Sequence, residues 1–364
     1  MPASSPTLTG PDANLARFCQ RFGLRVPILL SPMAGACPVP LSAAVAEAGG
    51  MGAMGAVLSQ PQDIVAWMTA FSDASTGPAQ VNLWIPDPAP ARDADAEARM
   101  REFLLHWGPS VSEAAGDPTP ADFDAQFDAL LDARPAVASS IMGVFRLDQI
   151  ARLKRAGIAW FACATTLDEA RAAQAAGADA VVAQGAEAGG HRGAFDASQA
   201  ERQMTGLFAL LPRLVDHLDI PVIAAGGIAD ARGIAAALML GASAVQIGTG
   251  WLRTPEAAVP SAWSDALVKA EPEQTQPTRA FSGRLARALD TPYVHAARAA
   301  DAPPPAPYPV QRGLTAPMRQ AAVRDNRLDT MQAWAGQSAW MAPVQPAAQL
   351  VTQWWEQAQA LLCR

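Results

Sequence analysis

The chain has 364 residues, half of them hydrophobic and 17% charged, with a formal net charge of −7. That composition supplies a large buried core and excludes a disordered, strongly solvated chain. With aromatic residues at 6% and no block of Lys or Arg, it also speaks against nucleic acid as a partner.

From residue 26 to about 250, short apolar runs alternate with helical stretches. Residues 25–30 (RVPILL) read as a first strand, 41–48 as a helix stopped by Gly49-Gly50, 52–58 as a second strand, 60–71 as a second helix and 80–85 (QVNLWI) as a third strand. Residues 86–134 break the rhythm. They are rich in Pro, Asp and Ala, with helical pieces at 94–107 and 121–131, and read as an extended crossover or insertion. The alternation then resumes with strands at 136–142, 157–165, 178–184, 221–225 and 243–248, separated by helices at 146–156, 167–176, 203–218 and 230–240. Repeated βα units imply right-handed crossovers and a parallel sheet. Eight buried apolar strands fit a closed TIM (β/α)8 barrel over residues 1–250 better than an open sheet. Beyond residue 251 the chain becomes rich in Pro and Arg, including the stiff run PPPAP at 303–307. Residues 251–344 read as a lid or substrate-binding region over the barrel mouth, and 345–364 as a final helix packed on the barrel.

The four cysteines, Cys19, Cys37, Cys163 and Cys363, form no CxxC pair, and no HxH or HExxH spacing occurs. Free thiols, a reducing cytoplasm and no metal site are expected. The opening MPASSPTLTGPD lacks a basic stretch followed by an apolar core, and no uncharged apolar run reaches spanning length. A soluble cytoplasmic protein is the expectation.

Barrel enzymes carry their sites where strands end at the C-terminal face. The first strand ends in Ser31-Pro32-Met33-Ala34-Gly35, the third contains Asn82, and the sixth ends in Gln184 and runs into GAEAGGHRG (185–193). The seventh ends in Ala225-Gly226-Gly227-Ile228 and the eighth in Gln246-Ile247-Gly248-Thr249-Gly250. Glycines after the last two strands let backbone N–H groups approach a phosphate, or simply make tight turns. His191 sits in a glycine-flanked loop. A neutral imidazole there is suited to take a proton near neutral pH, or is a surface residue capping a loop. His106, His217 and His295 have no supporting motif. Glu187 could orient the imidazole, bind a ligand hydroxyl, or cap a helix.

Eight motifs in order, SPMAG (31–35), VNLW (81–84), QGAEAGGHRG (184–193), AAGGIAD (224–230), VQIGT (245–249), TRAFSGR (278–284), YPVQRGLTAPMR (308–319) and AWAGQSA (333–339), resemble the class I branch of the nitronate monooxygenase family, formerly the 2-nitropropane dioxygenases. The resemblance spans about residues 26–340. It implies FMN held non-covalently at the barrel mouth. The ring would lie near Met33, Asn82 and Gln184, with Pro32 and Ala34 beside it, and Gly189 would contact the cofactor. Gly226, Gly227, Gly248 and Thr249 would hold the phosphate, with Gln246 and Ile247 alongside. His191 matches the family's catalytic base. The implied reaction oxidises alkyl nitronates, and nitroalkanes after proton removal, with O2 to a carbonyl compound and nitrite. A monomer or homodimer is expected, with no membrane or nucleic-acid partner.

The fourth strand departs from the family pattern. It ends Ser140-Ile141-Met142-Gly143 where the family has F-H-F-G, so Ile141 replaces a second histidine. Ile141, and Tyr308 of the YP motif, are the expected substrate contacts. The replacement leaves open an NAD(P)H-dependent FMN reductase of the enoyl-acyl-carrier-protein or quinone reductase type. A flavin- or phosphate-binding barrel without turnover is a third reading.

Overall fold

A computed structural model describes residues 11–363, so most of the opening segment read above for targeting signals lies outside the described residues. The described residues begin with helix α1 (Pro11–Phe22) and then enter a ring of parallel strands. These are β1 (Ile28–Leu30), β2 (Gly52–Gly55), β3 (Ala79–Trp84), β4 (Val137–Ile141), β5 (Ala159–Ala164) and β6 (Ala180–Gln184). After a two-residue strand outside the ring, β7 (Gly190–His191), come β8 (Val222–Ala225) and β9 (Ala244–Ile247). The spatial order is β1-β9-β8-β6-β5-β4-β3-β2. A bridge between Leu29 and Met51, in which Leu30 N donates to Met51 O at 2.9 Å and Met51 N to Ile28 O at 3.1 Å, joins β1 to β2 and closes the barrel.

The crossovers are α2 (Val39–Glu47), α3 (Pro61–Ala74), α5 (Phe123–Ala133), α6 (Leu147–Ala156), α7 (Leu167–Ala176), α8 (Leu207–Val215) and α9 (Ala231–Met239), with α4 (Ala94–Leu104) preceding α5. Local chemistry starts them. Thr166 Oγ1 accepts from Glu169 N at 3.2 Å to begin α7, and Asp230 Oδ1 accepts from Arg232 N at 3.0 Å to begin α9.

Two features correct the expected layout. The irregular segment was read as running to residue 134, but α5 packs on α3, α6 and β3 as the regular third crossover helix, so the insertion ends before Phe123. The second is α1, which the alternation argument left out. Its apolar residues Leu15, Phe18, Cys19 and Phe22 fall at helical spacing, and Phe18 and Phe22 lie 6.0 and 4.9 Å, centroid to centroid, from Phe161 inside the barrel. Among the described residues this aromatic plug fills the N-terminal end and leaves the interior open toward the C-terminal mouth. Truncating a fully buried ring such as Phe161 to Ala costs about 3–5 kcal/mol.

Beyond β9 the chain forms α10 (Ser261–Leu267), the hairpin β10 (Thr275–Thr278) and β11 (Ala286–Leu289), then α11 (Pro292–Ala296), α12 (Val310–Leu314), α13 (Ala316–Arg324) and α14 (Ala347–Leu362). Helix α14 packs against both α9 and α2, with Trp354 4.6 Å from Trp251. It therefore fills the position of the eighth barrel helix, and the preceding region is an excursion between the eighth strand and that helix. The excursion and α4 share a second apolar core, in which Met100 and Leu104 meet Phe281, Tyr293, Leu314 and Met318 over the barrel mouth. Buried Arg284 ties the two together by gripping Asp87 with two nitrogens and Ala194 O with a third.

Candidate active site

A cavity of about 290 Å³ occupies the barrel mouth. Its floor is made of side chains pointing inward from alternate strand positions. Gln80 Nε2 donates to Leu30 O at 3.0 Å and to Gln246 Oε1 at 3.1 Å, Gln246 Nε2 lies 3.4 Å from Ser31 Oγ, and Asn82 Nδ2 donates to Ser139 Oγ at 3.1 Å. Gln80 Oε1 is buried and has no partner. An acceptor left bare at the bottom of a cavity costs about 1–3 kcal/mol unless a ligand N–H satisfies it. Ile141, Cys163 and Val182 complete the floor. Burial pushes the Cys163 thiol up to about 12, so it stays protonated and is no nucleophile.

His191 is the one histidine of the four that lines this cavity. Its segment was expected to be a glycine loop. Instead it is β7, which pairs antiparallel with β11 (His191 with Ala286, Gly190 with Arg287) as the third strand of the sheet β10-β11-β7. The partner lies about a hundred residues away, so no local pattern announces it. Gln184 fixes the segment from below, with Nε2 donating to His191 O at 2.9 Å and Oε1 accepting from Gly193 N at 2.8 Å. The imidazole packs at steep angles against Trp84 (4.7 Å between ring centroids) and Trp334 (5.1 Å), and its Nε2 is 2.9 Å from Ser282 Oγ. Burial first, then the charges of Arg312, Arg284 and Arg319, hold its pKa down at about 3. The ring is neutral at pH 7.

Arg312 and Arg319 also line the cavity. Arg319 is held by Thr315 Oγ1 (3.1 Å), Gln332 Oε1 (3.1 Å) and Arg312 O (2.8 Å), and burial pushes it down to about 9. Burial lowers Arg312 too. The single lining carboxylate is Glu187, and both its oxygens accept from Leu207 N at 2.9 Å. Of its three expected roles the helix cap is the one the geometry realises; it does not bond the imidazole. The cavity therefore has a net positive character.

At the other side of the mouth lie Gly226 and Gly227, with φ of +111° and +71°, together with Gly248 and Thr249. A Cβ on Gly226 would come within 3.0 Å of Ala188 N. The excursion closes over these loops. Gly336 N donates to Thr249 Oγ1 at 3.0 Å, Ser338 Oγ to Gly227 O at 2.5 Å, and Gln337 N to Glu187 O at 2.9 Å. A Cβ on Gly189 would sit 2.5 Å from Gly336 N, so this seam admits only glycine. An amide floor with a bare acceptor, aromatic walls and a glycine cradle fit a ligand with a flat heteroaromatic ring and a phosphate.

Of the residues expected here, Pro32, Met33, Ala34, Asn82, Ile141, Gln184, Gly189, His191, Gly226, Gly227, Gln246, Gly248 and Thr249 converge on the cavity. Ile247 does not; its side chain lies in the core outside the strands. Tyr308 stands behind the wall, stacked on Trp84 at 4.9 Å and facing a neighbouring chamber. Sequence reasoning missed Gln80, Trp84, Ser282, Arg312, Arg319 and Trp334. Gln80 was findable, because it precedes Asn82 by two residues and so shares its strand face.

Comparison with known proteins agrees with this fold. The family model described as nitronate monooxygenase matches residues 18–357. The nitronate monooxygenase of Pseudomonas aeruginosa is 37% identical over 92% of this chain and 97% of its own length, and that of Paraburkholderia phytofirmans is 37% identical over 91% and 92%. Among solved structures, the nitroalkane oxidase of Streptomyces ansochromogenes is 36% identical with a TM-score of 0.84, covering 94% of this chain and 99% of that one. FabK of Thermotoga maritima is 27% identical with a TM-score of 0.74, covering 95% and 96%. The chain belongs to the nitronate monooxygenase family, a family of flavin-dependent oxidoreductases that oxidise nitronates.

Proposed function

We propose that the flavin is FMN, bound non-covalently at the barrel mouth, and that the enzyme converts alkyl nitronates and O2 to a carbonyl compound and nitrite with His191 as base toward neutral nitroalkanes. The observation that carries this reading is a neutral histidine facing two arginines in one cavity.

The amides of Gln80, Asn82 and Gln246 would hold the ring system, and Gly226, Gly227, Gly248 and Thr249 the phosphate. Gly336 and Ser338 seal the cradle, which favours a mononucleotide over a dinucleotide. When bound, the flavin supplies the electron transfer between nitronate and oxygen. The protein's own groups do the rest. Arg312 and Arg319 draw in the nitronate and balance its charge. With a neutral nitroalkane, the unprotonated His191 takes the proton from the carbon bearing the nitro group, and the new anion then stabilises the imidazolium that burial alone disfavours. Trp84 and Trp334 fix the imidazole and exclude water around it.

Purified protein mixed with an alkyl nitronate is expected to consume oxygen and release nitrite. His191→Ala should lose about 10²–10⁴-fold in turnover of a neutral nitroalkane while still oxidising the pre-formed nitronate. Equal rates on the nitroalkane before and after substitution would remove His191 from the role. The reductase reading rests on Ile141, which leaves one histidine in the cavity; reduction by NADH separates it.

A further inference from the structure

We propose that a second chamber beside the active site is a subsite for an apolar substrate tail, which makes the preferred substrate a nitronate carrying an extended alkyl or arylalkyl group. This inference rests on the reading that nitronates react at His191. The chamber has a volume of about 400 Å³, and Val57 and Trp84 line both it and the active-site cavity, so the two spaces meet along that edge.

The walls come from the insertion between β3 and α5 and from α12. Pro86, Pro88, Pro90, Pro118 and Pro120 line the chamber together with Phe123 and Val310. Prolines carry no N–H and have a fixed φ, so they present hydrocarbon on a preformed wall. The charged groups at the rim are already engaged: Asp87 with Arg284, and Arg92 with Glu97 and Asp117. The amide of Gln126 donates to Ala56 O at 2.9 Å and to Ser59 O at 2.7 Å. No charged side chain of the lining is left unpaired, and the rest is hydrocarbon, the ring of Tyr308 and the single indole N–H of Trp84. Trp84 is the partition. One side of it meets His191 at 4.7 Å and another stacks on Tyr308 at 4.9 Å, while its indole N–H has no partner.

The test uses the flavin-loaded enzyme and a series of primary nitronates from ethyl to octyl. Once the chain passes Trp84, kcat/KM should rise about three- to fourfold for each added methylene. Ala121→Trp, which fills the chamber, should lower the octyl-to-ethyl ratio of kcat/KM at least about tenfold. Ala89→Trp, on an exposed part of the wall, should do the same if the first variant folds poorly. Binding of n-alkyl carboxylates from acetate to octanoate, followed by equilibrium dialysis, should tighten along the series. A flat nitronate series with good turnover of ethyl nitronate would overturn the subsite and leave the proposed reaction standing. If no nitronate is turned over, the proposed reaction falls, and octanoate binding no tighter than acetate would overturn the subsite as well.

Discussion

The imidazole Nε2 of His191 lies 2.9 Å from the hydroxyl oxygen of Ser282. That hydroxyl also lies 3.2 Å from the carbonyl of Arg284, to which it can donate. Its lone pair is then free to accept Nε2–H, which leaves Nδ1 as the basic nitrogen. Ser282→Ala removes one such bond, and turnover of a neutral nitroalkane should drop up to about tenfold. Pre-formed nitronate, which needs no proton abstraction, should react at an unchanged rate. Equal losses on both substrates would show that Ser282 does something other than orient the base.

His191 should leave its mark on pH dependence. With its pKa held at about 3, the base form persists through the weakly acidic range, so the pH profile for nitroalkane turnover should show no histidine limb near 6.5. The same shift acts on stability. The unfolded chain takes up this proton near the ordinary histidine value and the folded one does not, so stability falls as pH drops from about 6.5 toward 3. His191→Phe should flatten that part of a plot of Tm against pH, and an unchanged slope would contradict the buried neutral ring.

Arg312 contributes charge to the cavity without being the base. Arg312→Gln should raise KM for a nitronate about tenfold at low ionic strength while altering kcat little, because it removes attraction for an anion that is present before and during reaction. It also removes the second-largest influence holding His191 down, so any acid limb should move to higher pH. Steady-state kinetics on nitronate and nitroalkane across pH reads both effects.

In the sequence Glu187, four residues before His191, is open to orienting the imidazole, binding a ligand hydroxyl or capping a helix; in the structure it caps α8. Glu187→Ala should cost about 1 kcal/mol of stability, seen in denaturant unfolding, and leave nitronate turnover within about twofold. A loss beyond about a hundredfold would assign it chemistry.

The barrel was legible because each unit carries local signals: buried runs such as AVVAQ and AVQI, and helix starts at Thr166 and Asp230. The glycine loops and His191 were legible for the same reason. What escaped depends on contacts distant in sequence. The pairing of β7 with β11 is one case, in a hairpin whose first strand contains Pro277. The return of α14 to the place of the eighth helix is another. Trp334 and Arg312 reach the cavity, and Ser282 reaches the imidazole, only because the excursion folds back over the mouth, so the motifs around them, though visible, did not say what each side chain would meet. Helix α1 is different, since the Leu15, Phe18, Cys19 and Phe22 stripe was there to be read.

The most direct test of the account is anaerobic mixing of the purified, flavin-loaded protein with an alkyl nitronate and, separately, with NADH, followed by flavin absorbance. The account predicts bleaching by the nitronate at a rate competent for turnover and no rapid bleaching by NADH. Rapid bleaching by NADH with none by the nitronate would contradict it and turn the site into that of a reductase.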